Sequence, residues 1–102
     1  MKLWRIAHAR SGDKGTISNI SLIAYNPAGY ERLVRQVTAA RVRTLFADLV
    51  TGEVLRYELP AIGALNFVLH GMVDGGVTRT LALDTHGKSL SSALLDMEIP
   101  DD

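Results

Sequence analysis

The sequence contains no cysteine among its 102 residues. This absence excludes disulfide bonds, thiolate catalysis and cysteine-ligated zinc or iron–sulfur sites, and it favours an intracellular location. The sequence also lacks a long apolar run, so we expect neither a transmembrane helix nor a secretory signal peptide. We therefore expect a soluble, cytoplasmic protein that has no membrane partner.

The sequence also has no net charge, since 11 Lys and Arg residues balance 11 Asp and Glu residues. A neutral chain lacks the basic footprint of a general nucleic-acid-binding protein. The two signs are unevenly distributed, because residues 1–43 have a net charge of +6 (eight basic, two acidic) and residues 44–102 have −6 (three basic, nine acidic). This pattern fits either a solvated dipolar surface that favours self-association or a basic face that receives an anionic ligand or an acidic partner.

Hydrophobic residues make up 47% of the sequence, so the chain can fold around a core as one domain over residues 1–102. Apolar and polar residues alternate in some segments, as in strands, and recur every three or four positions in others, as in helices. These patterns predict, in chain order, a strand at 2–10, a strand at 17–25, a helix beginning at Asn26 and Pro27, a helix capped by Thr38, a strand at 54–59, a helix at 61–70, a strand at 78–83 and a helix capped by Ser89. The stretch after Thr38 is either a separate helix or a kinked continuation of the first one. Turn-forming residues lie at 11–15, 74–76 and 84–87.

The order ββααβαβα indicates an α+β fold in which a four-stranded, mainly antiparallel sheet has its helices on one face, a ferredoxin-like variant. Segment 61–70 is almost uniformly apolar, and periodicity alone does not separate a buried helix from a strand there. Its length, the preceding Pro60 and the following Gly71 favour a helix. A sheet with one uncovered face is a common surface for self-association, so we also expect a homo-oligomer.

Polar residues and glycines are concentrated between positions 8 and 15. His8 and Arg10 leave the predicted strand on the same side, next to the turn. Gly12 and Gly15 allow backbone N–H groups to surround an anion, while Arg10 and Lys14 supply positive charge. We therefore predict a ligand-binding site that contains Arg10, Ser11, Gly12, Lys14, Gly15 and Asn19, with His8 and Asp13 as candidate catalytic acid–base residues. The alternative is an ordinary hairpin turn with a local ion pair.

Asn66 and His70 are the polar residues of segment 61–70. They are four positions apart, so they share one face of the predicted helix. Each is either hydrogen-bonded in the core or exposed at a ligand-binding site. Together with His8 they form a polar patch only if this segment packs near the first strand.

Several common functional sites are not supported by the sequence. The glycines at 12 and 15 have neither the P-loop spacing nor the dinucleotide fingerprint, which argues against ATP and NAD. His8, His70 and His86 are dispersed, so we predict no metal site. No G-x-S-x-G motif indicates a serine hydrolase. We therefore expect no cofactor.

Four separated motifs occur along the chain: HARSGDKG at 8–15, followed by Asn19 and Ile20, then RYELP at 56–60, ALNFVLHG at 64–71 and GVTR at 76–79. In this order they resemble the C-terminal domain of acyclic terpene utilisation A-like proteins. The resemblance covers nearly the whole chain.

The resemblance implies a ferredoxin-like fold and a place in the breakdown of acyclic terpenes or related branched acyl-CoA compounds. In this family a large N-terminal domain precedes the small one, or the small unit is a separate polypeptide, so a large partner subunit is implied. The family motifs imply that one functional or interface site includes Arg10, Asp13, Lys14, Asn19, Asn66 and His70. Thr16 stands where family members tend to have a second acidic residue, which argues against a two-carboxylate mechanism or a cation site.

Three functional hypotheses follow. In the first, the chain is a small subunit that docks on a separately encoded large protein, contributes residues 10–14 to a composite site and is catalytic, if at all, only in that complex. In the second, it is an autonomous homo-oligomeric enzyme or acyl-CoA-binding protein, in which Arg10 and Lys14 hold a phosphate or carboxylate and His8 or Asp13 transfers a proton. In the third, it is a structural oligomerisation module that assembles through sheet-face residues such as Tyr57.

Overall fold

The computed structural model describes residues 1–72 and 90–101. One sheet contains the strands β1 (Ala7–Lys14), β2 (Ile17–Ala24), β3 (Val54–Leu59) and β4 (Ala64–Leu69). The α-helices are α1 (Pro27–Gln36), α2 (Ala39–Leu45) and α3 (Leu90–Leu95), and 3₁₀ turns lie at Leu3–Arg5 and Pro60–Ile62. Within the described part of the chain, no helix is long and apolar enough to cross a membrane, since the longest has 10 residues.

All neighbouring strands are antiparallel, and their order across the sheet is β1-β2-β4-β3. Helix α1 packs against β2 and β4, α2 packs against β3, and α3 packs against β1 and β2. The predicted fold class is therefore confirmed: an α+β fold, compatible with a ferredoxin-like arrangement but with a variant strand order. The predicted strand at 78–83, the turns at 74–76 and 84–87 and the Ser89 cap lie outside the described residues.

The first hairpin is longer than its sequence pattern predicts. Leu3–Arg5 form a 3₁₀ turn rather than the start of a strand, and β1 begins at Ala7. The strand then continues through the predicted turn, because Ser11, Gly12, Asp13 and Lys14 each pair with a residue of β2. The turn itself contains only Gly15 and Thr16, and Gly15 has the left-handed conformation (φ +63°) that favours glycine. Cross-strand pairing therefore overrides the turn preference of the earlier residues.

The prediction of a helix at residues 61–70 is wrong. Pro60–Ile62 form a single 3₁₀ turn, Gly63 follows with φ +64°, and β4 then begins. Strand β4 lies between β2 and β3, so it is flanked by neighbours on both edges and is half-buried even on its uncovered side. Such a central strand does not need the clear alternation of apolar and polar residues that marks a half-exposed one. The proline and glycine that suggested helix boundaries instead belong to strand connections.

The predicted starts of the first two helices are confirmed. The Asn26 side chain accepts a hydrogen bond from the Gly29 N–H at 2.8 Å, and the Thr38 hydroxyl accepts one from the Arg41 N–H at 3.1 Å. Both bonds satisfy an N–H group that has no partner within the helix. Strands β2 and β3 and helix α3 also lie in segments where the sequence predicts them.

Among the described residues, the hydrophobic core lies on one face of the sheet. Alternate residues of the two central strands point towards the helices and are fully buried, namely Ile20, Leu22, Leu65, Phe67 and Leu69. Leu33 of α1, Val42 of α2 and Leu94 of α3 pack into the same cluster. Because successive side chains of a strand alternate in direction, the residues between the buried ones lie on the opposite face.

The acidic C-terminal segment packs against the basic N-terminal half. A main-chain hydrogen bond of 2.8 Å joins the Ile99 N–H to the Met1 carbonyl. Lys2 Nζ lies 3.7 Å from the carboxylate of Asp96 and 3.8 Å from that of Glu98. The Met1 ammonium donates to Glu98 at 2.7 Å, which lowers the pKa of that carboxyl. Part of the uneven charge distribution is therefore neutralised within the fold.

Replacing Phe67 with alanine should lower the free energy of unfolding by about 3–5 kcal/mol, because a large side chain is removed from a fully buried position. Replacing the next residue, the half-buried Val68, with alanine should lower the free energy of unfolding by about 1 kcal/mol or less. Urea unfolding followed by circular dichroism measures both values. Equal costs for these two neighbours would contradict a core confined to one face.

Candidate functional site

The side of the sheet that faces away from the helices, which we call the open face, is formed by alternate residues of all four strands. Its members are His8, Arg10, Gly12 and Lys14 of β1, Ile17, Asn19, Ser21 and Ile23 of β2, Ala64, Asn66 and Val68 of β4, and Leu55, Tyr57 and Leu59 of β3. All of them except Ala64 are exposed or half-buried, whereas the helix-facing residues of the central strands are buried, apart from the half-buried Ala24.

The open face brings together most of the predicted site residues. It holds His8, Arg10, Gly12, Lys14, Asn19 and Asn66. His70 follows β4 directly and lies at the end of the sheet where the β1–β2 turn lies. Ser11 and Asp13 lie on the helix side, and Gly15 forms the turn. The sheet register therefore joins Asn66 to the cluster in β1.

A row of polar side chains crosses the open face from edge to edge. The register makes Arg10, Ser21, Asn66 and Tyr57 successive neighbours on β1, β2, β4 and β3, and we call these four residues the polar row. The Ser21 hydroxyl donates to Asn66 Oδ1 at 3.3 Å. Strands lie about 4.8 Å apart, so the backbones of Arg10 and Asn66 are separated by about 10 Å. The sequence pattern does not single out Ser21, and it suggests for Tyr57 only a role in oligomer assembly. The reason is that the register that places these residues in one row with Arg10 joins strands that are distant in sequence.

A second row of open-face residues lies next to the polar row, and we call it the transverse groove because its β1 end contains a depression. From β1 to β3 this row consists of Gly12, Asn19, Val68 and Leu55, which are successive neighbours across the sheet. Gly12 has no side chain, and a Cβ added there would lie 3.2 Å from Asn19 Oδ1. At this end the groove contains a depression of about 270 Å³, lined by Gly12, Asp13, Lys14, Ile17, Asn19 and Val68.

The positive charge of the open face is not neutralised within the part of the chain that the structure describes. Arg10 and Lys14 are exposed, and neither forms a hydrogen bond or ion pair with a described residue. Asp13 is adjacent in sequence but points to the helix side, where its carboxylate accepts a hydrogen bond from the Ser18 hydroxyl. The ion pair between Arg10 and Asp13 that an ordinary hairpin turn would contain is therefore not formed. Both cations remain accessible to an anion.

The two candidate acid–base residues do not meet. His8 lies on the open face and Asp13 on the helix side, five positions further along β1, or about 17 Å at the usual rise of a strand. The His8 ring instead stacks on Tyr25, with ring centroids 5.5 Å apart and an interplanar angle of 23°. The two residues therefore do not act on a common proton within one chain. A catalytic role for either residue alone stays a prediction.

The chemistry that the open face offers is recognition of an anion. Among residues 1–72 and 90–101, no three His, Asp or Glu side chains are grouped in a way that could hold a metal ion. A guanidinium, an ammonium, a carboxamide and hydroxyl groups lie along the polar row and the groove, and they suit charge-assisted hydrogen bonds to a carboxylate or phosphate. An open sheet surface encloses little of a ligand, so a second surface is needed to complete a closed pocket.

The fold and the open face together define a class, a small α+β domain in which no described helix covers one side of the sheet. Within this class the chain belongs to the AtuA ferredoxin-like domain family, whose family model matches residues 1–100. No curated protein and no solved structure matches the chain. The family assignment confirms the resemblance indicated by the four sequence motifs, all of which lie within the matched range.

Replacing Asn66 with valine should change the free energy of unfolding by less than about 1 kcal/mol, because only a half-buried hydrogen bond to Ser21 is lost. Arg56 is a contrasting polar residue on the helix side, where Nη1 donates to the carbonyls of Val34 (2.8 Å) and Val37 (3.1 Å). Arg56→Ala should therefore cost about 1–3 kcal/mol. Chemical unfolding of both variants checks this difference, and a larger loss for the Asn66 variant would show that Asn66 supports the fold.

Proposed function

We propose that this chain is a small unit of an AtuA-type system that docks through its open face on a larger AtuA-type protein. In the complex it contributes the polar row to a composite site for the breakdown of acyclic terpenes or related branched acyl-CoA compounds. Any catalysis belongs to the complex, which is cytoplasmic. The proposal is carried by one observation, the exposure of apolar side chains and unpaired cations on the same face.

Apolar side chains are exposed mainly around this face. In the described part of the chain, seven large apolar side chains are exposed, and four of them lie on or beside the open face: Ile17, Tyr25, Tyr57 and Leu59, with exposed fractions of 40–61%. A soluble domain that groups apolar surface in this way usually buries it against a partner. Aromatic side chains such as Tyr25 and Tyr57 are also the type enriched at protein interfaces.

The charges of the open face indicate the chemistry of that partner. Arg10 and Lys14 have no carboxylate beside them on the face. Two copies of the face packed against each other would bring like charges together, which disfavours a homodimer formed in this way. A surface that combines carboxylates with apolar side chains matches both features. We therefore place a larger protein of the same system, rather than a second copy, on the open face.

A composite site agrees with the shape of this surface. The polar row is spread over all four strands and is not enclosed by any described part of the chain. Binding sites occur preferentially where two domains meet, because a second surface closes the pocket and removes water from it. The resemblance to acyclic terpene utilisation proteins implies a large domain that works together with this small one. Docking would place the guanidinium of Arg10 and the amide of Asn66 inside such a pocket.

The experiment is co-expression of the tagged chain with a large AtuA-type protein of the same organism, followed by size-exclusion chromatography. We expect the two proteins to co-elute and the small chain to change the activity of the large one towards branched acyl-CoA substrates. Tyr57→Glu, on the open face, should prevent co-elution, because a carboxylate replaces an exposed aromatic side chain in the buried contact.

Leu45→Glu is the matched control, since Leu45 is similarly exposed (41%, against 49% for Tyr57) but lies on α2. This variant should still co-elute. Separate elution of the wild-type proteins, together with unchanged activity of the large one, would reject the proposal. A stable homo-oligomer of the small chain that Tyr57→Glu disrupts would favour a structural oligomerisation module instead.

A further inference from the structure

We infer that the transverse groove binds an elongated amphipathic anion, with a carboxylate or phosphate head group at Gly12 and an apolar segment over Val68 and Leu55. The inference deepens the proposed function, because it names the ligand class of the composite site. It rests on the proposed function only in one respect, namely that the larger protein covers the groove from the other side. The groove itself is formed by this chain alone.

The β1 end of the groove suits a head group. Arg10 and Lys14 lie two positions before and after Gly12 on the same face, and their Cα atoms are about 13 Å apart at the usual strand rise. Both side chains are long enough to reach inwards from opposite sides. Gly12 leaves the space between them free, and Asn19 provides a side-chain amide on the adjacent strand. The surroundings are therefore two cations and one amide.

The acid nearest to this end is already engaged elsewhere. Asp13 contributes to the lining of the depression, but its carboxylate accepts a hydrogen bond from Ser18 on the helix side of the sheet. Among the described residues, no other Asp or Glu belongs to the open-face positions of the four strands, and Glu53 precedes β3 at the opposite edge of the sheet. Arg10 and Lys14 together outnumber the one carboxylate of Asp13, so a bound anion would meet a net positive charge, which favours charge-assisted hydrogen bonding.

The rest of the groove has a different character. Beyond Asn19 its floor consists of Val68 and Leu55, two half-buried aliphatic side chains. From β1 to β3 the groove crosses three strand spacings, or about 14 Å. An inorganic anion would occupy only the first third of this length. The combination of a cationic end and an aliphatic floor therefore selects a ligand with an anionic head and an apolar body.

The test is a titration of the full ¹⁵N-labelled chain, followed by two-dimensional NMR, with octanoate, octyl phosphate, inorganic phosphate and octan-1-ol as probes. We expect saturable shifts at the amides of Gly12, Asn19, Val68 and Leu55 with one or both of the anionic octyl compounds. Inorganic phosphate should bind at least about tenfold more weakly, because it buries no apolar surface. Octan-1-ol should not shift Gly12. The tighter of octanoate and octyl phosphate identifies the preferred head group.

Three variants locate the site. Gly12→Ala fills the groove at a residue whose φ is not positive, so the added methyl group closes space without backbone strain. Lys14→Gln removes one cation and keeps a flexible polar side chain. Each should weaken binding of the preferred probe by about tenfold. Arg43→Ala on α2 removes the same charge from a distant exposed position and should leave the affinity unchanged.

The results separate this inference from the proposed function. Equal affinity in the wild type and in all three variants, shifts spread over the whole chain, or equal binding of octan-1-ol would overturn the groove site, even if the chain co-elutes with the large protein. Intact probe binding combined with a failure to co-elute would instead reject the proposed function and retain the groove. The dispersion of the NMR spectrum shows directly whether each variant is folded.

Discussion

The pairing of β2 with β4 at the centre of the sheet is the constraint on which both the core and the open face depend. This register sets Ile20 opposite Phe67 and Leu22 opposite Leu65 on the helix side. The same register sets Ser21 opposite Asn66 on the other side. A shift by one residue would turn the buried leucines to solvent and the polar residues into the core. Core packing therefore holds the polar row in place, although the row itself contributes little to stability.

The two faces of the sheet follow different physical rules. On the helix side, two charged side chains have partners in the fold: Asp13 accepts a hydrogen bond from Ser18, and Arg56 donates to carbonyls near the end of α1. On the open face, Arg10 and Lys14 have none among the described residues. Cations left without partners beside exposed tyrosines and aliphatic side chains do not help a domain to fold. Under the proposed function, this arrangement serves to bind a partner outside the fold.

Sequence patterns predicted the elements that depend on local contacts. Asn26 and Thr38 were identified as helix caps because each bonds an N–H group three residues away, which requires no knowledge of the rest of the fold. The segment around Phe67 was misassigned because a central strand is defined by two neighbours distant in sequence. The shared face of Asn66 and His70 stays a prediction, because β4 includes Asn66 but ends at Leu69, one residue before His70.

The sequence by itself determined the α+β composition, the helix starts, the side of the first strand shared by His8 and Arg10, and, through its motifs, the family. Only the tertiary structure decided that β1 continues to Lys14, that Asp13 turns away from His8, and that Ser21, Asn66 and Tyr57 join Arg10 in one row. The reason is physical. Helix caps and strand alternation arise between residues a few positions apart, whereas register is selected by burying the apolar side chains of all four strands together.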